Sequence, residues 1–197
     1  VILSGAKFRR FRHNDAGHLE DLLKREKSKK PLIITETVFS MDGDIAPLKD
    51  IVSVKKRYGG HLMADEAHAT GIFGKNGSGM VEELGLSGDV ELIMGTFSKA
   101  LGSFGAYLAC SLSTKETLIN TSRSFIYSTA LPPSVVAANI KSIDLVMKEP
   151  QRRKKLLGLS NRFIEQIKKS GLDTPGVSQI VPVICGDDAA AVSLSDK

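Results

Sequence analysis

Apolar runs of strand length recur along this chain with helical patterns between them, and no other feature constrains its fold as tightly. The runs are PLIITETVFS (31–40), HLMADEAH (61–68), ELIMGTFSK (91–99), GAYLACS (105–111), FIYST (125–129) and QIVPVIC (179–185). The opening VILSGAKF also reads as strand-like. Asn14 or Asp15 caps a first helix whose Leu19, Leu22 and Leu23 share one face. A second helix runs through PLKDIVSVKKRYGG, with Pro47 at its first position and glycines closing it. This alternation predicts an α/β three-layer sandwich, a mostly parallel sheet covered by helices. After Pro132 and Pro133 come helical patterns over 134–148 and 151–170. Gly171, Pro175 and Gly176 then break the chain before the last strand candidate. The expected division is a large domain over 1–133, bridging helices over 134–171 and the start of a small C-terminal domain over 172–197. The chain opens at Val1 and stops in DDAAAVSLSDK, the first turns of a helix without a cap. That pattern is expected of a piece of a longer polypeptide.

Several function classes fall away on composition. The 197 residues are 42% hydrophobic and 25% charged, as expected of a globular chain with its own core. No apolar run reaches membrane length and no signal-peptide pattern opens the chain, so a cytoplasmic location without membrane contact is expected. Cys110 and Cys185 lie in the apolar runs YLACS and VPVICG, which suits small buried thiols better than a disulfide or a metal site. The net charge of +5 collects in KREKSKK (24–30) and QRRKK (151–155). Both stretches sit in amphipathic patterns with acidic neighbours, which favours solvated helix faces over a nucleic-acid surface.

Ligands of open parallel sheets gather at the carboxyl ends of the strands. Here those ends carry Ser40, then Asp65 and His68, then Thr96, Ser98 and Lys99, then Ser128 and Thr129. Lys99 leaves an apolar strand and enters Ala-Leu-Gly-Ser-Phe-Gly. Desolvation there would lower the pKa of its amine and leave it able to attack an aldehyde. Gly102 and Gly105 would let backbone approach a flat cofactor, and Thr96 and Ser98 offer hydroxyls suited to a phosphate. Taken alone, a strand-end lysine is more often a solvated loop residue. Asp65 changes that balance, because three apolar residues lead from His61 to a single carboxylate. A protonated pyridine nitrogen is a good partner for such an acid. His68 could hydrogen-bond a phenolic oxygen or a substrate carboxylate, and its plainer role is to tie down the turn.

The order and spacing of Asp65, His68 and Thr96-Phe-Ser-Lys99 resemble the fold-type I pyridoxal-5′-phosphate (PLP) enzymes, and among them the α-oxoamine synthases. The matching segments are TETVFSMDGDIAPL, MADEAHATGIFGKNGSG, GTFSKALGSFGAY and FIYSTALPP, which cover most of residues 8–135. The resemblance implies PLP carried covalently by Lys99, which also moves the Cα proton. It implies Asp65 against the pyridine nitrogen, His68 and Ser40 on the phenolic-oxygen side, Thr96 with Ser98 at the phosphate, and Glu36 below the ring. It further implies a homodimer with the active site between subunits, where Thr129 would reach the partner's phosphate. Residues 1–133 would be the PLP-binding domain, and no metal is implied. A histidine that stacks on the ring and a glycine-aromatic pair at the phosphate are expected upstream of residue 1. An arginine for the substrate carboxylate is expected beyond Lys197. The implied reaction is an acyl transfer in which an amino acid condenses with an acyl thioester, releasing CO2 and the thiol carrier. FRRFRHND and SKALGSFGAYLACS look nearest to the member that joins L-alanine to a pimeloyl thioester in biotin synthesis. The member that joins glycine to acetyl-CoA is the alternative.

Two readings from other classes are weaker. DEAH at 65–68 spells a helicase-like box in which Asp65 and Glu66 would serve Mg²⁺ and water. The loop GIFGKNGSG fails the P-loop pattern, since Ala69 stands five before Gly74 and Asn76 follows Lys75. A non-catalytic subunit of the same fold would be expected to have replaced Lys99, which is present along with Asp65 and His68.

Overall fold

Of the two candidate caps, Asp15 starts the first helix. Its carboxylate accepts the His18 N–H at 2.7 Å and opens α1 (Ala16–Arg25). Asn14 instead takes a left-handed φ of 51° and donates from Nδ2 to Asp44 Oδ2 at 2.6 Å. This computed structural model describes residues 2–26 and 30–196. Lys27, Ser28 and Lys29 of the first basic stretch, like Val1 and Lys197, lie outside the described residues.

Four strands form one sheet in the order β1 (Leu32–Glu36), β2 (His61–Asp65), β3 (Leu92–Thr96), β4 (Ala106–Cys110). β1, β2 and β3 run parallel and β4 returns antiparallel. The first crossover is α2 (Leu48–Arg57), with Pro47 at the cap position rather than inside the helix. The second holds a long glycine-rich loop and the single turn α3 (Met80–Glu83). On one face, Ile33, Leu62 and Ala64 join Leu19 of α1, Ile51 of α2 and Val81 of α3 in a continuous core. The period-2 alternation of the strands explains why Leu32 and Ile34 point the other way and stay exposed.

Three sequence expectations give way. VILSGAKF begins with a short 3-10 turn (Ile2–Ser4) rather than a strand. FIYST is not a strand: α4 (Leu112–Thr121) is followed by the short α5 (Arg123–Ile126), and 128–132 is irregular. QIVPVIC has the β-branched composition of a strand but forms none: Pro182 lacks an N–H, and Gln179 instead donates its side chain to the His68 carbonyl. The long helices appear as α6 (Pro133–Lys148) and α7 (Pro150–Lys169), each with proline in its first turn, and α8 (Asp188–Ser195) ends the described chain. Both cysteines are free and half-buried. Lys24 pairs with Glu20 and Asp21, and Arg152 with Glu149, on their own helices, whereas Arg153 departs from a solvated face: it is buried and donates to the Val146 and Lys75 carbonyls. No helix among the described residues is long and apolar enough to cross a membrane.

The amino ends of the strands are fastened by one buried lysine. Lys55 of α2 donates to Glu91 Oε1 at 2.6 Å and to the Asp89 carbonyl at 2.6 Å. Glu91 Oε2 accepts the Leu62 N–H at 2.7 Å, so α2, β2 and the approach to β3 meet at one carboxylate. Burial alone would raise the Glu91 pKa, but the Lys55 ammonium and the Leu62 N–H outweigh it and hold the group below its ordinary value of 4.5. A depressed carboxylate contributes stability that is present above its unfolded pKa and lost as pH falls through the folded one. Glu91→Gln is expected to lower unfolding free energy at pH 7 by about 1–2 kcal/mol, kept modest by the partial exposure of Glu91. Denaturant titration should show the difference between variant and parent shrinking as pH drops below about 4.5.

Candidate active site

The parallel register ends the strands together. Glu36 stands opposite Asp65, and Asp65 opposite Met94, so the carboxyl edge brings β1, β2 and β3 to one level. Asp65 turns one oxygen back on the chain, Oδ1 accepting the Ala67 N–H at 2.9 Å. Its Oδ2 has no hydrogen-bond partner among the described residues. The Glu66 carbonyl then accepts the N–H groups of Ala69 and Thr70, at 2.9 and 2.8 Å, closing a tight turn that presents His68.

Beyond β3, Thr96 is buried and Ser98 is exposed. The Thr96 hydroxyl lies 2.8 Å from the Ser98 hydroxyl and 3.0 Å from the Gly105 carbonyl, and it accepts the Ser98 N–H at 3.2 Å. The turn after Lys99 is pinned by α6, with Ser142 donating to the Leu101 carbonyl at 2.8 Å and Asn139 to the Phe104 carbonyl at 3.2 Å. Lys99 reaches across to β2, placing Nζ 2.7 Å from His68 Nε2. Lys99 itself is exposed, so the desolvation expected from its apolar strand is absent: the strand ends at Thr96 and the lysine sits three residues out on the turn. Burial depresses the His68 pKa below 6.5, and the Lys99 charge adds to that, against the opposing pull of Glu36 and Asp65. Neutral His68 is the form whose ring nitrogen can accept a hydrogen bond from Lys99 Nζ.

The remaining expected residues are distributed more loosely. Glu36 Oε2 accepts the Ser40 N–H at 3.3 Å, which joins these two at the end of β1. Ser128 and Thr129 are exposed on the irregular segment after α5, and no hydrogen bond connects them to Lys99. The donor set suits PLP: a primary amine, a carboxylate with one oxygen open, and neighbouring hydroxyls.

Sequence reasoning missed how the site is held. Glu66 entered only as a supposed metal ligand, yet it is fully buried and its carboxylate receives Thr37 Oγ1 at 2.7 Å, Val81 N–H at 2.7 Å and Met80 N–H at 3.0 Å. It is therefore unavailable to share an ion with Asp65. The N–H groups of Gly74, Asn76 and Ser78 are likewise taken by Glu83 and Glu82, so GIFGKNGSG does not cradle a phosphate. The run ADEAHA, which sets Asp65 and Glu66 between alanines, was the available signal for Glu66. Gln179, which donates to the His68 carbonyl at 2.6 Å across 111 residues of sequence, offered none.

Fold and site together define a chain with the α/β architecture of the fold-type I PLP enzymes. The family profile "Aminotransferase class I and II" matches residues 1–197, and the chain belongs to that family. An 8-amino-7-oxononanoate synthase of Chlorobaculum parvum is 44% identical over 195 residues, covering 98% of this chain and 50% of that protein. A serine palmitoyltransferase from S. paucimobilis, solved with a bound PLP–myriocin aldimine, superposes with a TM-score of 0.88 at 34% identity, over 93% of this chain and 49% of that one. The 8-amino-7-oxononanoate synthase of Francisella tularensis superposes with a TM-score of 0.87 at 29% identity, over 99% and 57%. The chain spans about half the length of the curated relatives it matches.

Lys99→Ala removes the second cause of the His68 depression, and the His68 titration midpoint is expected to rise in that variant. Histidine NMR titration measures it directly. An unchanged midpoint would show that the two side chains do not meet in solution.

Proposed function

We propose that this chain is the central part of a PLP-dependent α-oxoamine synthase that condenses L-alanine with a pimeloyl thioester to give 8-amino-7-oxononanoate. The observation that carries the reading is the meeting of Lys99 and His68 beside Asp65 at the carboxyl edge of the sheet. When bound, PLP supplies an electron sink for the negative charge left at the amino acid Cα. Lys99 would hold the cofactor through its amine and, once freed from it, move the Cα proton. Nearby His68, kept neutral, would accept a hydrogen bond from the Lys99 side and orient that amine. The open oxygen of Asp65 would hold the pyridine nitrogen's N–H and favour its protonated form. Ser98, with Thr96 behind it, offers a hydroxyl to the phosphate, while Glu36 and Ser40 line the β1 side. Bond formation to the acyl carbon releases the thiol, and loss of the carboxyl group as CO2 completes the balance.

The same reading assigns residues 1–133 to the PLP-binding domain, 134–171 to bridging helices and 172–197 to the start of a smaller domain. It takes the working enzyme to be a cytoplasmic homodimer in which Thr129 serves the partner's phosphate. The serine palmitoyltransferase likeness favours a second reading, a sister enzyme with another amino acid and acyl chain. The glycine and acetyl-CoA reaction belongs to the same group.

Borohydride reduction in the presence of PLP, followed by peptide mass spectrometry, is expected to leave a phosphopyridoxyl group on Lys99 and none in Lys99→Ala. Label elsewhere, or none, would overturn the cofactor assignment. Parallel assays should then show turnover of L-alanine with pimeloyl-CoA or pimeloyl carrier protein exceeding that of serine with palmitoyl-CoA and glycine with acetyl-CoA. The reverse order would select a sister activity.

A further inference from the structure

We infer that Glu66 is a positioning residue: its buried carboxylate latches the glycine loop and Thr37 to the turn that presents Asp65 and His68. The inference rests on the PLP-site reading for its functional meaning, but its geometry stands apart from it.

Glu66 is held from both sides. Its own N–H donates to the Met94 carbonyl at 2.7 Å, clamping the exit of β2 to β3, and its carbonyl closes the His68 turn through Ala69 and Thr70. Its side chain leaves in the opposite sense and collects three donors from two other segments. Two are the Met80 and Val81 N–H groups, where the glycine loop enters α3. The third is Thr37, whose N–H also donates to the Asp65 carbonyl at 2.9 Å. Thr37 follows Glu36 directly, so the latch reaches both acidic strand ends. The loop closes down on the carboxylate at Gly79, where a Cβ would fall 2.5 Å from the Glu66 carboxyl carbon and φ is 129°. Only glycine permits that approach.

No cation pairs with Glu66 among the described residues; N–H dipoles and one hydroxyl receive it instead. Burial raises its pKa, and the hydrogen bonds from Val81, Thr37 and Met80 oppose that rise. An apolar residue of the same volume would fill the space and leave two buried N–H groups unpaired. The groups facing His68 are Lys99 from the β3 exit, Glu36 and Asp65 from the strand ends, and the Gln179 amide on its carbonyl. Displacing the Glu66 turn therefore moves His68 relative to all of them, and first relative to Lys99.

Glu66→Gln puts an amide NH2 where a carboxylate oxygen now receives N–H donors, and Thr37→Val removes only the hydroxyl. The His68 NMR midpoint, measured without PLP, is expected to move up toward 6.5 in Glu66→Gln and by less in Thr37→Val. PLP affinity by absorbance titration is expected to fall about tenfold in Glu66→Gln, as loss of a buried hydrogen bond would give. If the melting temperature drops while the His68 midpoint and PLP affinity stay at parental values, Glu66 serves stability alone and the inference is overturned. Should Glu66→Gln fail to fold, the Thr37→Val midpoint decides in the same way. Failure of the parent protein to bind PLP would sink the cofactor reading, while the His68 midpoints would still decide the latch.

Discussion

Parallel hydrogen bonding in register stops β1, β2 and β3 at one level, and the candidate site is what that shared edge exposes. A parallel ladder offers no hairpin, so each strand must be reached by a crossover, and residues distant in sequence arrive side by side. Glu36, Asp65 and Met94 share one row across the three strands. His68 and Lys99, separated by 31 residues, meet just past that row. The lysine pin at the opposite end of the sheet, Lys55 with Glu91, fixes β2 and the approach to β3 where they begin.

Charges at this edge act on His68 from both directions. His68 is pressed toward its neutral form by burial and by Lys99, while Glu36 and Asp65 pull against that. Around it, backbone carbonyls are committed: that of His68 to Gln179, those of Leu101 and Phe104 to α6. The C-terminal segment therefore contributes to the site without supplying a reactive group. Val177 donates to the Gly43 carbonyl, and a Cβ at Gly43 would lie 2.0 Å from the Ile180 carbonyl oxygen, so this segment also fixes the turn beyond Ser40.

The strand ends were legible because the apolar runs before Asp65 and Thr96 are short and sharply bounded, and a parallel sheet dictates where their polar residues go. The Asn14-Asp15 pair and the prolines opening α6 spoke through local rules of helix initiation, with the structure choosing Asp15 as the cap. FIYST and QIVPVIC failed those rules' limits: both have strand composition, and only tertiary packing decides whether a neighbour exists to pair with. Lys99 lies past the end of β3 and is exposed rather than desolvated, since three residues of turn separate it from the strand. Glu66 and Gln179 were missed because their partners lie in other segments, which neither periodicity nor capping can reveal.

The charge on the cofactor's ring nitrogen tests the strand-end site most directly. With ring-15N-labelled PLP bound to the protein, the pyridine nitrogen is expected to resonate as protonated, and Asp65→Asn is expected to return it to the unprotonated position. A nitrogen unprotonated in the parent protein, or protonated equally in Asp65→Asn, would contradict the placement of Asp65 at the heart of this site.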